Sequence, residues 1–137
     1  MTAMIENDGS VVAALSVFLL ERIAEREALA HAVRDWPEAP MARDLAWHTT
    51  PGDPRAIAWG LTCVAASTEP KVSEFIASHD PARVLAECAA QRAIIEGDYW
   101  ERNDGYVGIE VIEDVFRRLA LPDANHPDYR DEWKPWT

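Results

Sequence analysis

Residues 44–65 read DLAWHTTPGDPRAIAWGLTCVA, and whether this stretch forms strands or a helix decides the fold class. Trp47, Ile57, Trp59, Leu61, Thr62 and Val64 fall in two short stretches, 44–50 and 56–65, separated by Pro51-Gly52-Asp53-Pro54. Runs of aromatic and β-branched residues bounded by such a cluster read as two strands joined by a tight turn. Alternation along the second strand places Ile57, Trp59, Leu61 and Cys63 on one face and Ala58, Gly60, Thr62 and Val64 on the other. A lone hairpin is marginal in water, so its large face is expected against helices, with room for a third short strand beside it.

The sequence on either side of this stretch has helical periodicity. Over 8–35, Val12, Leu15, Leu19, Ile23 and Ala30 recur at helical spacing, while Glu21, Arg22, Glu25 and Arg26 fall largely on the other side. Asp8, Gly9 and Ser10 supply the capping residues, and Trp36-Pro37 marks the end. A short helix over 71–78 carries Val72, Phe75 and Ile76. The clearest local signal follows: Asp80 is a good N-cap, and Pro81 takes the first helical position, where a missing N–H costs nothing. That helix runs to about Tyr99, with Leu85, Cys88, Arg92, Ile95 and Tyr99 near one stripe and Val84, Gln91 and Ile94 beside it. Gly97 weakens its last turn before Asn103-Asp104-Gly105. A final helix over 108–121 turns Ile109, Ile112, Phe116 and Leu119 inward and stops at Pro122. The expected architecture is a single α+β domain, mainly helical, with a small antiparallel β-hairpin or three-stranded sheet and an extended C-terminal tail. Its parts are a long helix over 8–35, a hairpin region over 44–66, a helical part over 71–121 and an aromatic tail over 122–137. Tyr129, Trp133 and Trp136 make that tail too aromatic for a disordered segment, so it is expected to be pinned across the helices.

The 137 residues are enough for a core without disulfides or a structural metal. With 24 acidic against 13 basic residues, the chain has a formal charge of −11 and repels nucleic acid phosphates and anionic lipid head groups. Neither nucleic acid nor membrane is an expected partner. Acid and base are interspersed, as in Glu21-Arg22 and Glu25-Arg26-Glu27, which reads as a solvated helix face; mimicry of a DNA backbone is the sharper alternative. Cys63 and Cys88 lack CxxC spacing and read as buried thiols in a reducing compartment. The apolar run 11–20 is half the roughly 20 residues a membrane span needs, and acids rather than bases precede it. A cytoplasmic location is the expectation.

Candidate chemistry is sparse. His79-Asp80 and His126/Asp128 are two imidazole–carboxylate pairs that, brought together, would offer nitrogen and oxygen ligands to zinc, manganese or iron. Their internal spacing fits no established metal motif, and Asp80 and Asp128 equally suit caps. Glu110, Glu113 and Asp114 would serve acid–base chemistry if held in a pocket, or else favour the positive end of the last helix. No nucleophile elbow, phosphate loop or dinucleotide fingerprint occurs, so no cofactor is expected. Tyr129, Trp133 and Trp136, with Trp100, are the better interaction candidates, since Trp and Tyr combine apolar area with a polar handle. Packing on the domain's own core is the competing role. Arg83, Arg92 and the Arg117-Arg118 pair could steer an acidic partner, or form weak surface ion pairs.

The string FIASHDPARVL at 75–85, continuing through Glu87 and Gln91-Arg92-Ala93-Ile94-Ile95, resembles a helix-start motif of a family of small uncharacterised proteins from actinobacteria and their phages. The ending Leu119-Ala120-Leu121-Pro122, then His126-Pro127-Asp128-Tyr129-Arg130-Asp131-Glu132-Trp133, is similar to that family's C-terminal signature. The resemblance covers the last third to half of the chain, and residues 1–70 match only in general layout. It implies a setting, an actinobacterial cell with a gene of chromosomal or phage origin, and it implies no chemistry. The expected function is a non-enzymatic accessory factor that binds a host protein through Tyr129, Trp133, Trp136, Arg83 and Arg92. The alternatives are a metal-binding protein or metal-dependent enzyme using His79, Asp80, His126 and Asp128, and an acidic DNA mimic. Pairing of the first helix with a second copy is also left open.

Overall fold

The computed structural model describes residues 10–40, 46–97 and 108–135. Within them the order is α1 (Ser10–Arg34), β1 (Trp47–Thr50), β2 (Asp53–Trp59), β3 (Thr62–Ala66), α2 (Pro70–Ala77), α3 (Pro81–Glu96) and α4 (Ile109–Ala120), then short 3-10 turns at Leu121–Asp123 and Asp131–Trp133. The fold class is α+β and mainly helical. The chain divides into two compact units, one of residues 1–24 with 90–137 and the other of residues 25–89. The cap at Asp8-Gly9, the strand start at Asp44-Leu45, Trp100, the helix end at Tyr99, the glycine turn at 103–105 and Trp136 lie outside the described residues.

The decisive stretch forms three strands in the order β1-β2-β3, both pairings antiparallel. Trp47 pairs with Trp59, which brings the two indoles within 6.2 Å on one face. The long second strand of the sequence reading breaks at Gly60, whose φ of 61° is the left-handed conformation that a two-residue hairpin connection uses. Leu61 therefore sits at the tip of a turn, fully exposed, and not on the face with Ile57 and Trp59. Beyond the turn the register shifts between Ile57/Ala65 and Ala58/Cys63, a bulge that leaves Val64 as the extra residue. Cys63 is exposed, contrary to the reading of both cysteines as buried, and only Cys88 is enclosed. Ile57 and Trp59 are fully buried, as the alternation requires.

In α1 the buried positions are Leu15, Phe18, Leu19, Arg22, Ile23 and Ala30, the i, i+3, i+4 pattern of one face. Arg22 is on that face and not among the solvated charges. The first unit's core joins Leu15, Phe18 and Leu19 to Phe116 and Ala120 of α4 and to Tyr129 and Trp133 of the tail, with Ile95 and Ile112 at its margin. In α4 Phe116 is buried and Ile112 and Leu119 pack against the core as expected, whereas Ile109 is exposed and Arg117 and Ala120 join the buried face. The tail runs as a succession of tight turns, in which Ala124 donates to Leu121, His126 to Asp123, Tyr129 to His126 and Trp133 to Arg130, all at 2.9–3.0 Å, and it is pinned by Tyr129 and Trp133 in the core.

In the second unit the sheet is joined to α2 and α3 by side chains that accept and donate to backbone. Asp80, nearly enclosed, accepts from the Arg83 N–H at 2.8 Å, the expected cap of α3, and from the Trp47 N–H at 3.0 Å. One carboxylate thus starts a helix and anchors the first strand. Glu69 caps α2 by accepting from the Lys71 N–H, with Pro70 at the first position.

Candidate functional site

Helix α2 presents the least expected surface. Its large side chains Val72, Phe75 and Ile76 are 48%, 68% and 38% exposed, and the buried residues are Ser73 and Ala77. On the buried side the Ser73 hydroxyl donates to the Arg55 carbonyl of β2 at 2.6 Å and lies 2.6 Å from the Ser67 hydroxyl. Two small residues at i and i+4 bring the helix close to neighbouring backbone, and this orientation turns the i, i+3, i+4 apolar set toward water. Lys71 and Glu74, paired at 3.3 Å, border the stripe, and the His79 ring rests 4.8 Å from that of Phe75.

A second apolar surface lies in the same unit. A groove of about 380 Å³ is lined by Leu29, Ala32, Val33, Trp36, Trp47 and Val64. Leu29, the most exposed of these large side chains at 70%, stands on α1, and Trp47 is held by the Asp80 anchor. The groove is therefore positioned by a helix end and a strand whose first N–H is tied to a buried carboxylate.

The residues singled out by sequence are placed otherwise. Trp133 is 3% exposed and Tyr129 is also buried, both in the first unit's core, where Trp133 meets Phe18 at 5.2 Å and Tyr129 at 5.6 Å. They form a packed core, not an exposed aromatic face. Burial pushes the Tyr129 phenol above its usual range, with Arg117 opposing and Asp131 adding to the shift, and its hydroxyl has no protein hydrogen-bond partner among the described residues. Arg83 and Arg92 fall in different units, and each is paired along α3, with Glu87 at 3.6 Å and Glu96 at 3.8 Å. Arg117 is a staple of the tail: it binds the Glu113 carboxylate through Nε and Nη2, both at 2.9 Å, and donates from Nη1 to the Glu132 carbonyl. Glu113 is thereby committed to an ion pair, although Glu110, Glu113, Asp114 and Arg117 do line a hollow of about 250 Å³.

His79-Asp80 and His126/Asp128 also fall in different units. His79 Nδ1 donates to the Phe75 carbonyl at 2.9 Å, and Asp80 is the double acceptor described above. His126 Nδ1 accepts from the Asp128 N–H at 3.0 Å, and the Arg22 guanidinium group lies against the ring at both nitrogens, 2.7 Å from Nδ1. An Arg carries only donors, so the imidazole nitrogen facing it is an acceptor already in use. Arg22 also lies over the Phe18 ring at 5.1 Å and within 3.8 Å of the Asp128 carboxylate, an arrangement that binds the tail to α1. Among the described residues, no three His, Cys, Asp or Glu side chains come together in a group that could hold a metal ion. Glu74, Glu87, Glu96, Glu113, Asp114 and Asp131 each face a Lys or Arg three or four residues away on the same segment. Among the described residues, no helix is long and apolar enough to cross a membrane.

Sequence reasoning missed the outward face of α2 and the groove. For α2 the signal was available in Ser73 and Ala77, a small-residue pair in phase with Asp80 that permits close approach. The groove joins α1 to strands distant in sequence, and periodicity does not report such juxtapositions.

The model of DUF6221, a family of unknown function, matches residues 12–135. No curated protein and no solved structure matches the chain.

Proposed function

The chain belongs to the family of unknown function DUF6221, and from its geometry we propose that it is a non-enzymatic accessory factor that binds and modulates a protein partner. The observation that carries this reading is the outward apolar face of α2, where Val72, Phe75 and Ile76 meet solvent at helical spacing while Ser73 and Ala77 are buried. A helix that presents i, i+3 and i+4 anchors is the pattern by which amphipathic helices seat in an apolar groove of another protein. The partner surface this face fits is apolar at its centre, opposite Val72, Phe75 and Ile76, with the Lys71–Glu74 pair at the border. The groove beside Leu29, Trp36 and Trp47 supports the same reading, being of a size to take one large apolar side chain from a partner.

The proposed setting is the cytoplasm of an actinobacterial cell, with the partner a host protein and the gene chromosomal or phage-borne. It rests on the resemblance of the helix-start and C-terminal motifs. The test is affinity capture from an actinobacterial lysate with wild-type protein and a Phe75→Ser/Ile76→Ser variant, whose exposed positions leave the fold intact. A protein retained by the wild type and lost by the variant supports the proposal. Equal retention by both, with unchanged melting temperature, removes α2 as the binding face.

A further inference from the structure

We draw no further inference here: the strongest candidate, the cleft between α1 and the tail lined by Val17, Phe18, Glu21, Asp128, Arg130 and Trp133, carries nothing because its carboxylates Glu21 and Asp128 already face the Arg22 guanidinium group and nothing in the structure shows what covers it.

Discussion

Replacing Trp133 by alanine removes the tail's largest contribution to the first unit's core. The side chain is 3% exposed, packs against Phe18 and Tyr129, and carries the Arg130 guanidinium over its ring at 5.2 Å. A buried Trp removes roughly 150–250 Å² from water, which at about 25 cal/mol per Å² amounts to roughly 4–6 kcal/mol. Alanine retains a small part of that area, and measured Trp-to-Ala changes in cores cost about 3–5 kcal/mol. Against a total stability of about 5–15 kcal/mol this is a large loss, equivalent to a fall in Tm of roughly 10–20 °C for a chain of this size. Urea unfolding followed by far-UV circular dichroism measures it without the confounding change in tryptophan emission. Trp133→Phe, which keeps a ring against Phe18 and Tyr129, should lose less than half as much. If Trp133→Ala cost less than about 1 kcal/mol, the residue would not be part of the core, and the assignment of the tail as a structural element would fail.

Other substitutions test the anchors. Arg117→Ala strips Glu113 and the Glu132 carbonyl of their donor; since Glu113 keeps some access to water, the expected cost is about 2–3 kcal/mol, and a double substitution Arg117→Met/Glu113→Leu should recover the part due to the stranded Glu113 carboxylate, not that of the Glu132 carbonyl, in the same urea titration. Asp80→Ala removes both the cap of α3 and the acceptor of the Trp47 N–H, for a loss of about 2–4 kcal/mol, with Asp80→Asn intermediate. Tyr129→Phe deletes a buried hydroxyl that has no protein partner among the described residues and should leave stability within about 1 kcal/mol of wild type at neutral pH. Because the folded phenol titrates above its usual value near 10, the wild type should keep this contribution below about pH 10 and lose it as pH rises through the folded value. Tyr129→Phe should lack that part of the alkaline decline in a Tm-against-pH series.

Much of the architecture is legible wherever local chemistry and tertiary demand agree. Asp80-Pro81 starts α3, the face Leu15, Leu19 and Ile23 is buried, and Ile57 and Trp59 share the inner face of the sheet. The failures have identifiable causes. Gly60 looks like one position of an alternating strand, but its left-handed conformation makes a hairpin and sends Leu61 and Cys63 away from the expected face. Arg22 and Arg117 read as solvated charges because isolated guanidinium groups resist burial, yet each has carbonyl, carboxylate or imidazole acceptors supplied by the tail or by α4. In α2 the apolar period is visible and its direction is not, because periodicity does not say which face packs: here the small residues Ser73 and Ala77 are buried and the Ser73 hydroxyl meets the Arg55 carbonyl. Tyr129 and Trp133 pin the described part of the tail, and their burial is what removes them from the exposed surface.

The central claim is that the exposed apolar face belongs to α2 while the aromatic residues of the tail are enclosed. Hydroxyl-radical footprinting with mass-spectrometric readout tests this most directly, with each residue's rate in the native protein normalised to its rate in urea. Phe75 should react at a rate approaching that of the unfolded chain, and Trp133 and Tyr129 should be protected at least several-fold. Protection of Phe75 together with free reaction of Trp133 would contradict the account.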